Sequence, residues 1–259
     1  MTTDAWDPAQ YERFRDERAQ PFFDLLGLVE PVPGGRAIDL GCGTGKLTRV
    51  QHDRVKAVET IGIDSSEEML RESGQLAGGG LRFERGDIAN WDPGRTFDLV
   101  FSNAALQWVP DHPELFPRLA RLLAPGGQLA VQMPANHDHA SHVLAHALAR
   151  EEPFAAALVG YVREVPVESP EWYASVLHGL GFGQQHVRLQ VYGHVLGQTA
   201  DVVEWTKGTL LTDYQRRLPA HLFERFVDEY RRRVVAELGD QSPYFYPFKR
   251  LLIWGRTPG

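Results

Sequence analysis

Cysteine is almost absent from the 259-residue sequence, which contains only Cys42. A single thiol excludes an internal disulfide framework and fits a reducing compartment. The N-terminal stretch has no apolar core flanked by basic residues, so we expect no secretory signal there. No apolar run approaches the roughly 20 residues that a membrane helix requires. We therefore expect a cytoplasmic protein that has no contact with membranes.

The sequence also lacks an excess of basic residues. It contains 27 Lys and Arg and 34 Asp and Glu, which gives a net charge of −7. This balance disfavours a general nucleic-acid-binding surface, and we expect no nucleic-acid partner. Residues 205–259 nevertheless carry ten Lys and Arg against six Asp and Glu (+4), whereas the rest carries 17 against 28 (−11). The C-terminal surplus is either a solvated helical surface or part of a site for an anionic ligand.

Strand-like apolar segments alternate with helical segments over the first half of the chain. This alternation predicts a parallel sheet covered by helices on both faces. An amphipathic helix is expected after Asp7-Pro8, with Tyr11 and Phe14 on its apolar face. The predicted strands are 36–40, 57–63, 81–84, 97–102, 128–133, 185–195 and 250–256, and the other predicted helices are 114–123, 141–150, 170–180, 200–211 and 219–238.

A glycine-rich turn, Gly41-Cys42-Gly43-Thr44-Gly45, directly follows the first predicted strand. Glycine lets the backbone turn sharply and lets a ligand approach closely. The dinucleotide-binding fingerprint would need glycine in place of Lys46, and a phosphate-binding loop would need Ser or Thr in place of Leu47. Asp39 at the loop entrance would repel a pyrophosphate but suits an ammonium group. The turn therefore disfavours a nucleotide oxidoreductase and favours a cationic ligand without phosphate.

Two further acids follow the next two predicted strands. Asp64 can accept hydrogen bonds from both hydroxyls of a ribose. Asp87 can accept one from an adenine amino group while Ile88 packs on the ring. Either acid could instead cap a helix, although Ser65 or Ser66 can serve as the cap after Asp64. Three acids at three successive strand ends indicate the ligand-binding edge of such a sheet.

At these positions the chain resembles the class I S-adenosylmethionine-dependent methyltransferases. The matching stretches are residues 38–45, 62–66, 86–88, 97–104 and 122–127. The resemblance implies a Rossmann-like, doubly wound α/β sheet of seven strands whose last strand is antiparallel. It also implies S-adenosyl-L-methionine as the cofactor. The cofactor-binding residues that it implies are Asp39, Gly41, Gly43, Asp64, Ser65, Asp87, Ile88 and Asn103.

The resemblance also suggests how the chain is organised. We expect a single domain spanning residues 1–259. Within it, residues 1–30 would form an N-terminal helical cap and residues 31–135 the cofactor-binding half. Residues 136–259 would complete the sheet and insert a helical cap over the substrate.

The chain is further similar to the trans-aconitate methyltransferases, a branch of this family. Similar stretches lie between residues 6 and 22 and at 103–109, 131–136, 203–209 and 246–251. The likeness implies methyl transfer to one carboxylate of trans-aconitate, giving a monomethyl ester. A carboxylate is ionised at neutral pH and needs no general base, so we expect no catalytic side chain. The protein instead aligns oxygen, methyl carbon and sulfur.

A small polyanion requires cationic or hydroxyl partners. The substrate-binding candidates are Tyr11, Trp108, His137, Lys207, Tyr246 and Arg250, with Lys249 and Tyr214 as further possibilities. Each could also be an ordinary surface or packing residue. A histidine cluster, His137, His139, His142 and His146, has no accompanying cysteine and carboxylate set, so we expect no metal. We expect a monomer.

Two other functions fit the same sequence. The first is a methyltransferase for a phenol, an amine or a carbon centre, which a hidden base such as His137 or His194 would favour. The second is a non-catalytic S-adenosylmethionine-binding protein that acts as a sensor or a partner subunit. The complete glycine loop and acid set favour cofactor binding in every case, but they do not prove turnover.

Overall fold

The computed structural model describes residues 15–259, with side chains from residue 19 onward, so Tyr11 and the predicted start of the first helix lie outside it. The strands are β1 (Arg36–Leu40), β2 (Glu59–Asp64), β3 (Leu81–Arg85), β4 (Phe97–Asn103), β5 (Leu123–Pro134), β6 (Gln184–Leu196) and β7 (Tyr244–Arg256). The helices are α1 (Arg15–Leu26), α2 (Lys46–Val55), α3 (Glu67–Leu70), α4 (His112–Arg121), α5 (Ala140–Ala149), α6 (Phe154–Ala157), α7 (Pro170–Gly179), α8 (Asp201–Lys207), α9 (Thr212–Arg217) and α10 (Ala220–Leu238), with 3₁₀ turns at Ser73–Leu76 and Leu106–Trp108. None of the described helices is both long and apolar enough to cross a membrane.

The seven strands form one sheet in the order β3-β2-β1-β4-β5-β7-β6. The first five strands run parallel. β7 runs antiparallel to β5, with Arg256 opposite Gln128 and Arg250 opposite Pro134. Residues of the central strands, such as Ile38 and Phe101, are completely buried, as expected for strands covered on both faces. The predicted doubly wound sheet with an antiparallel last strand is therefore confirmed.

The described chain divides into two compact units. The sheet unit comprises Arg18–Pro134, Pro166–Gln190 and Arg250–Gly259. The helical unit comprises, among the described residues, 15–17, 135–165 and 191–249. An aromatic core fills the helical unit, and its fully buried tyrosines are Tyr214, Tyr230 and Tyr246. The prediction of one domain in three segments stays a prediction.

The last strand begins earlier than predicted, at Tyr244 rather than residue 250. Tyr244, Tyr246 and Phe248 are buried at alternate positions, which is the period of a strand with one face toward a core. Pro247 interrupts this pattern in the sequence and argues against a strand, because proline cannot donate a ladder hydrogen bond.

Two helix predictions were wrong at their ends. Predicted helix 114–123 runs from His112 to Arg121, because the Asp111 side chain caps it by accepting from the backbone of Glu114 at 3.3 Å. Its last predicted residue belongs to β5, which begins at Leu123. Predicted helix 200–211 ends at Lys207, and Gly208 separates it from the short helix Thr212–Arg217.

Candidate active site

The carboxyl ends of the parallel strands lie side by side in the sheet unit. In the register, Asp39 of β1 is opposite Gly62 of β2 and Phe101 of β4. Asp64 of β2 is opposite Arg85 of β3, shortly before Asp87. The topology thus brings the three predicted acids to one edge of the sheet, which is where ligands bind in doubly wound folds.

The glycine turn is anchored to the neighbouring strand. The backbone amides of Gly41 and Cys42 donate to the Ile63 carbonyl at 2.8 and 2.9 Å. A Cβ on Gly41 would lie only 2.2 Å from the Cβ of Ala105, so packing alone requires glycine there. A Cβ on Gly43 would meet nothing within 4 Å, although the residue has a φ of +55°. Gly43 therefore exposes backbone to which a ligand can come close.

Asp64 holds the glycine turn in place. Its Oδ2 accepts from the Gly43 amide at 2.9 Å, and its Oδ1 accepts from the Ser66 amide at 2.9 Å. The helix cap is Ser66 rather than Ser65, because the Ser66 hydroxyl accepts from the Met69 amide at 3.2 Å. Each carboxylate oxygen can accept a second hydrogen bond, so the Asp64 carboxylate retains capacity for hydroxyl donors.

Asp39 is buried, with 4% of its surface exposed, and its carboxylate accepts from the Thr48 hydroxyl at 2.6 Å. Burial raises the pKa of Asp39 to about 7, the Thr48 hydrogen bond lowers it, and the nearby charge of Asp64 raises it. The ionised form is therefore disfavoured until a positive charge comes near. This environment suits an ammonium-bearing ligand.

Asp87 and Ile88 follow β3. Asp87 is exposed, and its Oδ1 accepts from the Ala89 amide at 2.9 Å in a local turn. The Ile88 side chain lies 3.6 Å from the position of a Cβ on Gly41, so it adjoins the glycine turn. Arg118 donates to the Ile88 carbonyl and fixes this segment.

Three amide side chains lie near the ends of β4 and β5: Asn103 is a predicted cofactor residue, whereas Gln107 and Gln132 are not among the predicted ones. Asn103 is opposite Gln132 in the register, and Gln107 donates to the Ala104 carbonyl at 2.7 Å. The side-chain oxygens of all three amides, and the Gln132 Nε2, are buried without a hydrogen-bond partner among the described residues. Buried polar atoms are normally satisfied, so this amide cluster indicates a ligand position. Nothing in the sequence marks Gln132 as a ligand-binding residue, because its strand has the apolar pattern of a core strand.

The predicted substrate residues lie in both units. In the sheet unit, Trp108 is 38% exposed and Arg250 is buried. In the helical unit, His137 is exposed, and the Lys207 ammonium pairs with Glu204 at 2.8 Å. Tyr246 is fully buried, and its hydroxyl accepts from Asn136 at 3.3 Å. Lys207 and Tyr246 thus each have a protein partner.

The remaining histidines of the cluster belong to α5 and its cap. His139 is the N-cap, and its Nδ1 accepts from the Ser141 amide at 3.1 Å. The Ser141 hydroxyl lies 3.1 Å from Nδ1 of His142. No group of three or more His, Cys, Asp or Glu in residues 15–259 is placed to hold a metal ion.

Comparisons with known proteins agree with this geometry. Residues 37–127 match the family model described as a methyltransferase domain. A trans-aconitate 2-methyltransferase from Deinococcus radiodurans is 44% identical, with 98% of each chain covered. One from Sinorhizobium fredii is 42% identical, with 96% of this chain and 97% of that protein covered.

A solved structure shows the same fold in a more distant protein. Phosphoethanolamine N-methyltransferase 2 from Haemonchus contortus, in complex with S-adenosyl-L-methionine, matches with a TM-score of 0.55 and 17% identity over 95% of this chain and 53% of that chain. This likeness concerns the fold alone. The extent and identity of the sequence matches decide the family: the chain belongs to the trans-aconitate 2-methyltransferases, a family of S-adenosylmethionine-dependent enzymes.

Proposed function

We propose that this chain transfers the methyl group of S-adenosylmethionine to one carboxylate of trans-aconitate, giving a monomethyl ester. The observation that carries the proposal is the edge of the sheet unit, where buried acceptor oxygens without partners lie near acids at strand ends. Such a set suits a cationic ligand that carries hydroxyl and amino donors. The names of the relatives from two bacteria support the substrate.

The cofactor residues in this proposal are those predicted from the sequence. Asp39 faces the ammonium group, Asp64 with Ser65 the ribose, and Asp87 with Ile88 the adenine. Gly41 and Gly43 shape the turn, and Asn103 takes part through its unpartnered oxygen. To this set we add Gln107 and Gln132, because their buried amide atoms have no partner among the described residues.

The chemistry demands little of the protein beyond orientation. Bound S-adenosylmethionine supplies a methyl group attached to a positively charged sulfur. This sulfur is a good leaving group, because it becomes a neutral thioether when the methyl group is transferred. The residues around the strand ends hold the donor in one orientation and keep water away. Alignment of this kind lowers the activation free energy of a reaction by roughly 7–11 kcal/mol. An ionised carboxylate needs no general base, so the proposal assigns no residue to proton abstraction.

The substrate residues of the proposal are Trp108 and Arg250 in the sheet unit and His137, Lys207 and Tyr246 in the helical unit; Tyr11 precedes the described residues. We rank Arg250 first, because a guanidinium binds a carboxylate through two parallel hydrogen bonds. Lys207 ranks lower because Glu204 already neutralises it.

A neutral methyl acceptor such as a phenol would have to lose a proton to a base. Neither of the two histidines predicted for that role is distinguished by its surroundings. His194, a predicted base for that alternative, is 5% exposed and stacks on Trp205 with ring centroids 4.6 Å apart. His137 is exposed. The carboxylate acceptor is therefore the proposal that we retain. We further propose that the enzyme is a monomer in the cytoplasm. The proposal includes no nucleic-acid partner, in keeping with the net charge of −7.

A methyl-transfer assay with radiolabelled S-adenosylmethionine tests the proposal. We expect label to appear on trans-aconitate and to be released by mild alkali, as it is from a methyl ester. The Gly43→Val variant, which should not bind the cofactor, is the negative control. Transfer of label to phenols or amines but to no carboxylate would refute the substrate, and the absence of transfer to any acceptor would favour the non-catalytic alternative.

A further inference from the structure

His112, the first residue of α4, uses both of its ring nitrogens in hydrogen bonds within the sheet unit. Its Nε2 lies 3.0 Å from the Leu106 carbonyl oxygen, and its Nδ1 lies 2.5 Å from the Tyr173 hydroxyl. The backbone amide of Glu168 donates to the same hydroxyl at 3.1 Å. His112 is 1% exposed, and Leu106 and Tyr173 have no exposed surface, so solvent cannot substitute for these partners.

The chemistry of the partners fixes the direction of every hydrogen bond in this chain. A carbonyl oxygen can only accept, so Nε2 of His112 carries the proton and donates to Leu106. Nδ1 of the neutral imidazole is then an acceptor, to which the Tyr173 hydroxyl donates. Burial lowers the pKa of His112 and raises that of Tyr173, so both groups are neutral at physiological pH. The chain therefore runs in one direction, from the Glu168 amide to the Leu106 carbonyl.

The chain of hydrogen bonds ends on the 3₁₀ turn after β4, beside the ligand-binding edge of the sheet. The residue before Leu106 is Ala105, and a Cβ on Gly41 of the glycine turn would lie only 2.2 Å from its Cβ. The residues after Leu106 are Gln107, whose buried Oε1 belongs to the amide cluster, and Trp108, which is 38% exposed. The anchored carbonyl thus lies between a contact with the glycine turn and two residues that the proposed function assigns to the ligands.

The same turn contains a strained residue. Ala104 has a φ of +55°, a left-handed conformation that residues with a Cβ rarely adopt. Its carbonyl accepts from the Gln107 side chain at 2.7 Å, and its backbone amide donates to the Gln132 carbonyl at 2.9 Å. A conformation of this kind persists only where the surrounding contacts impose it. The hydrogen bond from His112 to Leu106, two residues further along, is one such contact.

We propose that His112 is a positioning residue for methyl transfer, because its hydrogen bond to the turn after β4 holds Gln107 and Trp108 in place at the ligand-binding edge. This inference rests on the proposed function, which assigns Gln107 to the cofactor and Trp108 to the substrate. His112 does not itself bind a ligand, since both of its ring nitrogens already have partners. Tyr173 keeps the imidazole in the tautomer that donates to the turn.

Two amide substitutions separate the two hydrogen bonds of His112. His112→Gln can place an amide nitrogen near the position of Nε2 and keep a donor to Leu106, whereas His112→Asn can accept from Tyr173 but is too short to reach Leu106. Both variants lose the same ring, so their melting temperatures should fall by similar amounts. Calorimetric titration with S-adenosylhomocysteine should show about a tenfold weaker Kd for His112→Asn and a change of less than about threefold for His112→Gln. The kcat/KM for trans-aconitate should follow the same order.

His52 provides a matched control near the amino end of β2, away from the ligand-binding edge. It is 6% exposed, with Nε2 3.1 Å from the Gly79 carbonyl oxygen and Nδ1 2.7 Å from the Thr60 hydroxyl. His52→Asn should therefore lower the melting temperature without changing the Kd for S-adenosylhomocysteine. Equal losses of affinity in His52→Asn and His112→Asn would show that His112 is only structural and would overturn the proposal.

Tyr173→Phe keeps the packing of the ring and removes only the hydroxyl, so it tests the chain even if His112→Asn does not fold. Its Kd for S-adenosylhomocysteine should be about threefold weaker. Unchanged affinity in His112→Asn, or in Tyr173→Phe where His112→Asn does not fold, would overturn the proposal. The proposed function can fail separately: wild-type protein that binds S-adenosylhomocysteine but methylates no carboxylate would refute the substrate, while cofactor affinity in the variants would still decide the role of His112.

Discussion

The sheet unit and the helical unit differ in how their candidate site residues are distributed along the sequence. In the sheet unit, the site residues follow strands whose carboxyl ends meet at one edge, so short motifs in the sequence identify most of them. In the helical unit, the candidate substrate residues His137, Lys207 and Tyr246 come from separate segments, and Tyr246 is fully buried in the aromatic core. A cofactor that many enzymes share is therefore bound by a recognisable pattern, whereas recognition of one substrate depends on packing.

The largest effect on cofactor binding, which the proposal assigns to the sheet unit, should come from Gly43→Val. Gly43 has a φ of +55° and open space beside it, so the variant should fold but no longer bind S-adenosylhomocysteine. Gly94→Val is the matched control, because Gly94 has a φ of +63° and equally open surroundings. Both variants should lose about 1–3 kcal/mol of stability through backbone strain. Calorimetric titration that finds normal affinity in Gly43→Val would show that the turn is only structural.

A smaller effect is expected from Asp64→Ala. Loss of a charged acceptor for ribose hydroxyls should weaken cofactor binding by about 1.5–3 kcal/mol, roughly 10- to 150-fold. Ser66→Ala removes the helix cap beside it and should cost about 1 kcal/mol of stability without changing affinity. If the two variants weaken cofactor binding equally, Asp64 acts by supporting the local backbone and not by contacting the ligand.

Removal of single positive charges should affect the substrate and spare the cofactor. Arg250→Met should raise the KM for trans-aconitate by about tenfold or more, because hydrogen bonds to charged groups contribute about 1.5–3 kcal/mol. Lys207→Met should raise it less, because Glu204 already pairs with Lys207 at 2.8 Å. Steady-state kinetics at saturating cofactor provide the comparison. An unchanged KM in both variants would exclude these residues from substrate recognition.

Near neutral pH, the smallest effect comes from the titration of Asp39. Because the pKa of Asp39 is raised to about 7, its carboxyl group holds a proton below that pH, and a cationic ligand must displace the proton to bind. Cofactor affinity should therefore be constant above pH 7 and should fall by up to about tenfold per unit below it. Asp39→Asn should bind weakly and show no such dependence between pH 5.5 and pH 8. An affinity of the wild-type protein that does not change over this range would contradict the role of Asp39.

The sequence predicted the strands of the sheet and the three acids because both depend on local pattern and on a topology that places strand ends together. It missed the amide of Gln132, because a polar residue in a buried strand carries no mark of what it faces. It also placed the start of β7 too late, since Pro247 hides the alternation of Tyr244, Tyr246 and Phe248. The sequence also could not show that the pKa values of His142 and His146 are lowered, because this follows first from their burial in the fold.

The most direct test of the account is a competition assay with wild-type protein and radiolabelled S-adenosylmethionine. Equal concentrations of trans-aconitate, a simple monocarboxylate and a phenol would compete for the label, and the ratio of incorporation gives the ratio of their kcat/KM values. We expect most of the label in an alkali-labile ester of trans-aconitate. The account would be contradicted if the phenol received more label than either carboxylate.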